Sequence, residues 1–153
     1  MFLWWGIAGV LALAGIRDLR YRRIPNWLLV PPLVLAVVFA PWGLLGQDVS
    51  PADAYRQAGL GVGVALLILL PAWLLHEGIG AADVKLGMLI GAAFGYRILL
   101  IAMVVTLAMS AVIGLAIGWR RSRDAKLPMG TLLAVGSGVA LRYHEVVTRW
   151  TGL

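Results

Sequence analysis

The chain has 153 residues, of which 61% are hydrophobic and only 13% charged, with a formal net charge of +6. Its mean hydropathy is +0.91. Soluble domains carry roughly 45–50% apolar and about 25% charged residues, so this composition excludes a soluble enzyme and selects an all-α polytopic membrane bundle. Its length suits one domain.

The absence of cysteine excludes disulfides, thiolate metal sites and a cysteine nucleophile. The basic residues gather in short loops between apolar runs, so orientation in a bilayer accounts for them better than nucleic-acid binding.

In chain order, Phe2 to Ile16 is unbroken apolar sequence. At ~1.5 Å per residue it is short for a ~30 Å hydrocarbon core, so the helix is expected to continue through Asp18. With no basic segment before it and no small-x-small cleavage site after it, the run reads as a retained span rather than a removed signal peptide. Arg17, Arg20, Arg22 and Arg23 form a basic loop that ends at Ile24-Pro25-Asn26. Pro25 suits the first turn of the next helix.

A second span is expected from about Trp27 to Leu45, with Pro31-Pro32 kinking it or loosening its first turn. Gln47 to Gln57 reads as a polar loop. The third span, about Ala58 to Leu75, opens with Gly59, Gly61 and Gly63, a spacing that lets another helix approach. His76 to Ala82 is a glycine-containing loop before a short fourth span, about Asp83 to Gly95. Arg97 separates that from a fifth, about Ile98 to Trp119. After Arg120, Arg121, Arg123 and Lys126, a sixth runs from about Leu127 to Leu141, followed by a tail with Arg142, Arg149 and Trp150.

Six transmembrane helices with both termini outside put nine basic residues in the inner loops and four outside, accounting for all thirteen. The positive-inside rule favours this arrangement. Asp18 and Asp83, 65 residues apart in sequence, then reach the same cytoplasmic face.

Two aspartates sharing one proton can hold a water between them. One acts as base toward that water, and the protonated partner polarises a carbonyl. No Ser-His-acid set or HExxH pattern competes, and the topology places His76 and His144 on opposite faces. The other reading of each acid is a solvated or salt-bridged residue at a helix end flanked by arginines. A non-catalytic assembly scaffold and a proton-coupled transporter stand as rival functions. Transport needs acids near the midplane, whereas all seven acidic residues fall in loops or near predicted helix ends. Lys85 fits an interfacial positive-inside residue or a tuner of the carboxylates. The Arg120 to Lys126 cluster suits topology and anionic lipid.

Three stretches carry a family resemblance. Asp18-Leu-Arg-Tyr-Arg-Arg-Ile-Pro-Asn-Trp27 resembles the first catalytic motif of the type IV prepilin peptidases. Gly80-Ala-Ala-Asp-Val-Lys-Leu86 resembles their GxGD motif, and Lys126-Leu-Pro-Met-Gly-Thr-Leu-Leu-Ala-Val-Gly136 their Lys-x-Pro-x-Gly segment opening the last helix.

The resemblance covers the whole chain. It implies a single membrane-embedded peptidase domain over residues 1–153, in the bacterial cytoplasmic (inner) membrane. Such an aspartic endopeptidase removes the basic leader of prepilins and pilin-like proteins at the cytoplasmic face. Asp18 and Asp83 would be its catalytic dyad, with Gly80, Ala82, Lys85 and Lys126 in support. Neither a cofactor nor a metal is implied. The expected partners are prepilin substrates and the lipid bilayer, with no nucleic acid. Larger members also methylate the new N-terminus and carry a cytoplasmic insertion, often with paired cysteines. This chain resembles the compact form of Flp-type (Tad) pilus systems, and no methyltransferase activity is expected.

One letter departs from the motif. Ala82 stands where the family has the glycine before the second aspartate. If that glycine has φ > 0, alanine costs roughly 1 kcal/mol or more; if it only allows close approach, one methyl is tolerated.

Overall fold

A computed structural model of the protein describes residues 2–21, 24–40, 50–75, 80–118 and 129–151. Among these lie five helices: α1 (Phe2–Tyr21), α2 (Asn26–Val38), α3 (Pro51–Leu75), α4 (Ala81–Gly118) and α5 (Met129–Thr151). The all-α class is as expected, and α1 does continue through Asp18. Two helices, Pro51–Leu75 and Ala81–Ile113, are long and apolar enough to cross a membrane.

Several boundaries differ from the sequence expectation, each for a physical reason. The expected fourth and fifth spans form one element, α4, interrupted at Gly95 with φ 80 and ψ 170. That backbone region is essentially closed to residues with a Cβ, so the break sits on the one residue type that takes it without strain. Tyr96 and Arg97 follow at once, with the Arg97 Nε donating to the Tyr96 hydroxyl at 3.2 Å.

Helix α3 begins at Pro51, seven residues before the expected Ala58. Ser50 caps it: its hydroxyl accepts the Asp53 N–H at 3.2 Å and donates to Asp53 Oδ2 at 2.7 Å. A cap of this kind with proline at the first helical position is a start signal, and it moves Pro51 to Gln57 out of the expected polar loop. Helix α2 runs through Pro31 and Pro32. The expected tail from Arg142 to Trp150 is helical as part of α5.

Helix α4 is the centre of the packing. It lies against α2, α3 and α5, while α1 packs on α5 and α2. Its first half is buried nearly all round, with Leu86, Leu89, Ile90, Ala93 and Phe94 in the core, as a helix enclosed by others requires. The contact with α3 depends on Gly61 and Gly91, where a methyl on either would collide with the other's backbone. Of the three early glycines in that helix only Gly61 serves this approach; Gly59 and Gly63 face open space. Thr106 bridges toward α5, its hydroxyl lying 2.7 Å from the Ala102 carbonyl and 3.2 Å from that of Leu132.

The exterior is apolar. Leu67, Leu75 and Leu115 are 76%, 77% and 71% exposed, and large aliphatic side chains on α1, α2 and α4 share that exposure. Contiguous apolar surface on this scale suits lipid rather than water.

Candidate active site

Asp18 lies in the last turn of α1, where the negative end of the helix dipole disfavours a carboxylate. Its environment comes instead from α5. The Thr131 N–H, in the first turn of that helix, donates to Asp18 Oδ2 at 3.0 Å. First-turn N–H groups have no partner within their own helix, so Asp18 satisfies one and gains the positive end of the α5 dipole.

The Thr131 hydroxyl is 2.9 Å from the Gly15 carbonyl and 3.4 Å from Asp18 Oδ2; its single proton serves the shorter contact. Gly130 leaves the carboxylate its space. A Cβ there would stand 2.9 Å from both Asp18 Oδ2 and Ile24 Cδ1.

Asp83 is 9% exposed and occupies the third position of α4. Its Oδ2 accepts the Gly80 N–H at 2.9 Å, while its own N–H donates to the Gly80 carbonyl at 2.9 Å. This is the reach-back half of a capping box, with Gly80 as the cap. Ala82 takes ordinary helical geometry inside α4, whose non-helical residue is Gly95, and packs against the core. A positive φ is therefore not required of it.

The two carboxyls are close enough for the Asp18 charge to be felt at Asp83. Each carboxyl lies against a helix N-terminus, that of Asp18 at α5 and that of Asp83 at α4, where the positive dipole end favours negative charge. Among the described residues, each acid holds a main-chain N–H through Oδ2, and none donates to either Oδ1. No described arginine or lysine pairs with either acid, so the salt-bridged reading of these aspartates has no support there. Arg17 instead lies 5.8 Å over the Trp27 ring.

Lys85 binds across the two motifs: its Nζ donates to Asn26 Oδ1 at 2.6 Å. His76 and Lys126 lie outside the described residues. No group of three or more His, Asp or Glu suited to a metal occurs among the described residues. The sequence reading did not single out Gly130, Thr131 or Asn26 as site residues. All three lay within quoted motif stretches, and a glycine followed by a small polar residue at a helix start was the available signal.

The sequence model of the type IV leader peptidase family matches residues 5–119, a span that holds both aspartates. The chain belongs to the type IV leader peptidase family. It is 27% identical over 141 residues to the prepilin leader peptidase/N-methyltransferase of Bacillus subtilis, covering 90% of this chain and 54% of that protein. The Aeromonas hydrophila protein of the same name is 30% identical over 156 residues, covering 95% and 53%. That of Stutzerimonas stutzeri is 30% identical over 159 residues, covering 97% and 50%. The chain thus spans about half the length of these relatives. No solved structure matches it.

Proposed function

We propose that this chain is a membrane-embedded aspartic endopeptidase that removes the leader from prepilins or pilin-like proteins, with Asp18 and Asp83 as its catalytic pair. What supports the reading is that the two acids, from motifs 65 residues apart, are each anchored through one oxygen by a main-chain N–H at a helix start, and that the Asp18 charge reaches Asp83. Family membership and the relatives' printed activity support the substrate class.

A water held between the two Oδ1 atoms gives up a proton to the ionised aspartate as its oxygen attacks the scissile carbonyl carbon. The protonated aspartate donates to the carbonyl oxygen, giving a neutral tetrahedral diol. The aspartate that took the proton then protonates the leaving nitrogen, the C–N bond breaks, and a diol hydroxyl returns its proton to the other carboxylate. The products are a leader ending in a carboxyl and a mature chain with a free amine.

In the bilayer the chain forms a single peptidase domain with six spans and both termini outside, Gly95 marking the turn between the fourth and fifth. The dyad then lies at the cytoplasmic headgroup level of the bacterial inner membrane, where the junction between a basic leader and an apolar pilin helix would sit. The apolar exterior and the placement of basic residues support this. Gly61 is already taken up by Gly91, which leaves the Gly59 and Gly63 face of α3 for packing against a substrate helix.

Ala82, where the motif has glycine, takes helical geometry, so that departure alone does not favour a non-catalytic scaffold. Asp18→Asn and Asp83→Asn, each followed by mass spectrometry of a co-expressed prepilin, test the dyad. Each is expected to lower leader removal by about 10²–10⁴-fold, the range of acid–base groups. Unchanged processing in both variants would sink the assignment.

A further inference from the structure

We propose that Lys85 is a positioning residue for this reaction, locking the Asp83 helix to the segment that follows Asp18 by way of Asn26; the proposal rests on the dyad reading above.

Lys85 is the fifth residue of α4, near the positive end of the helix dipole, which is no help to a cation. A purely topological lysine would extend to water or headgroups. Lys85 instead makes a short contact, 2.6 Å, to the side chain of a residue 59 positions away. The bond is charge-assisted and well below the usual N–H···O distance.

Its two ends are each tied to one carboxylate. On one side, Lys85 and Asp83 share the first turns of α4, so a shift of that helix start moves both. On the other, Asn26 opens α2 directly after Ile24 and Pro25, and Pro25 is extended at φ −70 and ψ 142. Proline fixes that geometry, so Asn26 and Ile24 move as a unit. Ile24 is buried, and a Cβ placed on Gly130 would meet its Cδ1 and Asp18 Oδ2 alike, so both border the same space. The linkage therefore runs from Asp83 along the start of α4 to Lys85, across the hydrogen bond to Asn26, and along the chain to Ile24, which borders the space over Gly130 that Asp18 also borders. Lys85 touches neither acid, so its influence passes through the separation of the two carboxyls. A shared water tolerates little error in that separation.

The test uses the full chain in detergent micelles and a peptide with a Lys/Arg-rich leader joined to a bilayer-length apolar segment. Lys85→Met and Asn26→Leu are each expected to lower kcat on the order of tenfold while KM moves by less than about twofold. The double variant is expected to be no slower than either single one, because both remove the same bond. Asn26→Asp, which restores an acceptor for Lys85, should recover kcat to within about threefold of the starting protein.

Circular dichroism and melting of each variant separate lost folding from lost positioning, and Asn26→Asp carries the test if Lys85→Met does not fold. Wild-type kcat in Lys85→Met overturns the proposal. So do multiplying effects in the double variant, or Asn26→Asp as slow as Asn26→Leu. Asp83→Asn is the separating control. If it is inactive while Lys85→Met is fully active, only the positioning role fails; if it still cleaves, the dyad and this proposal fall together.

Discussion

At the scale of single residues, the site depends on absent atoms as much as on present ones. Gly130 is the clearest case. Alanine is the better helix former by about 1 kcal/mol, so Gly130→Ala should leave α5 intact or firmer. Its methyl would nonetheless stand 2.9 Å from Asp18 Oδ2 and 3.1 Å from Asp18 Cγ. The carboxyl must then rotate or retreat from the Thr131 N–H. Leader cleavage is expected to fall by about 10–100-fold with melting temperature unchanged or raised, and cleavage at the starting rate would show that Asp18 tolerates displacement. The aspartates could be proposed from the sequence because each stands in a stretch that resembles a family motif. Their anchors were harder to see: the Thr131 N–H leaves no mark of its own, and only the glycine and small polar residue at that helix start point to it.

At the scale of elements, most disagreements between sequence and structure concern where helices start and stop. The charge of Asp53 and Arg56 made Pro51 to Gln57 look like loop, yet Ser50, Pro51 and Asp53 together spell a helix start. Hydropathy reports what surrounds a segment, whereas caps report its backbone, and the cap was the better witness. Gly95 shows the reverse case, in which hydropathy hinted at a boundary through Arg97 while only the backbone located it. Gly95→Ala places a Cβ at φ 80 and ψ 170, a region that costs on the order of 1–3 kcal/mol for a non-glycine residue. The expected result is a melting temperature lowered by several degrees in micelles, with cleavage by the surviving folded fraction near the starting rate. An unchanged melting temperature would mean that α4 can run on through this position without a break.

For the whole molecule, the polarity of the exterior is inverted relative to a soluble bundle. Close backbone contacts such as Gly61 on Gly91 stand beside buried Leu86, Leu89, Ile90 and Phe94, and large aliphatics cover the outside as well. Where hydrocarbon surrounds the helices, burying leucine gains little over leaving it in lipid, so close packing carries the association. That inversion was legible in composition alone; the expected orientation rests on basic residues, many of which lie outside the described segments. The absence of cysteine makes orientation directly testable. Ser50→Cys, at the start of α3, should react with a membrane-impermeant maleimide in intact cells. Ser122→Cys, among the second basic cluster, should react only once the membrane is opened. The reversed pattern would turn the bundle over and move both aspartates to the outer face. A basic leader retained in the cytoplasm could not reach them there, so the labelling result also decides whether a prepilin can be the substrate.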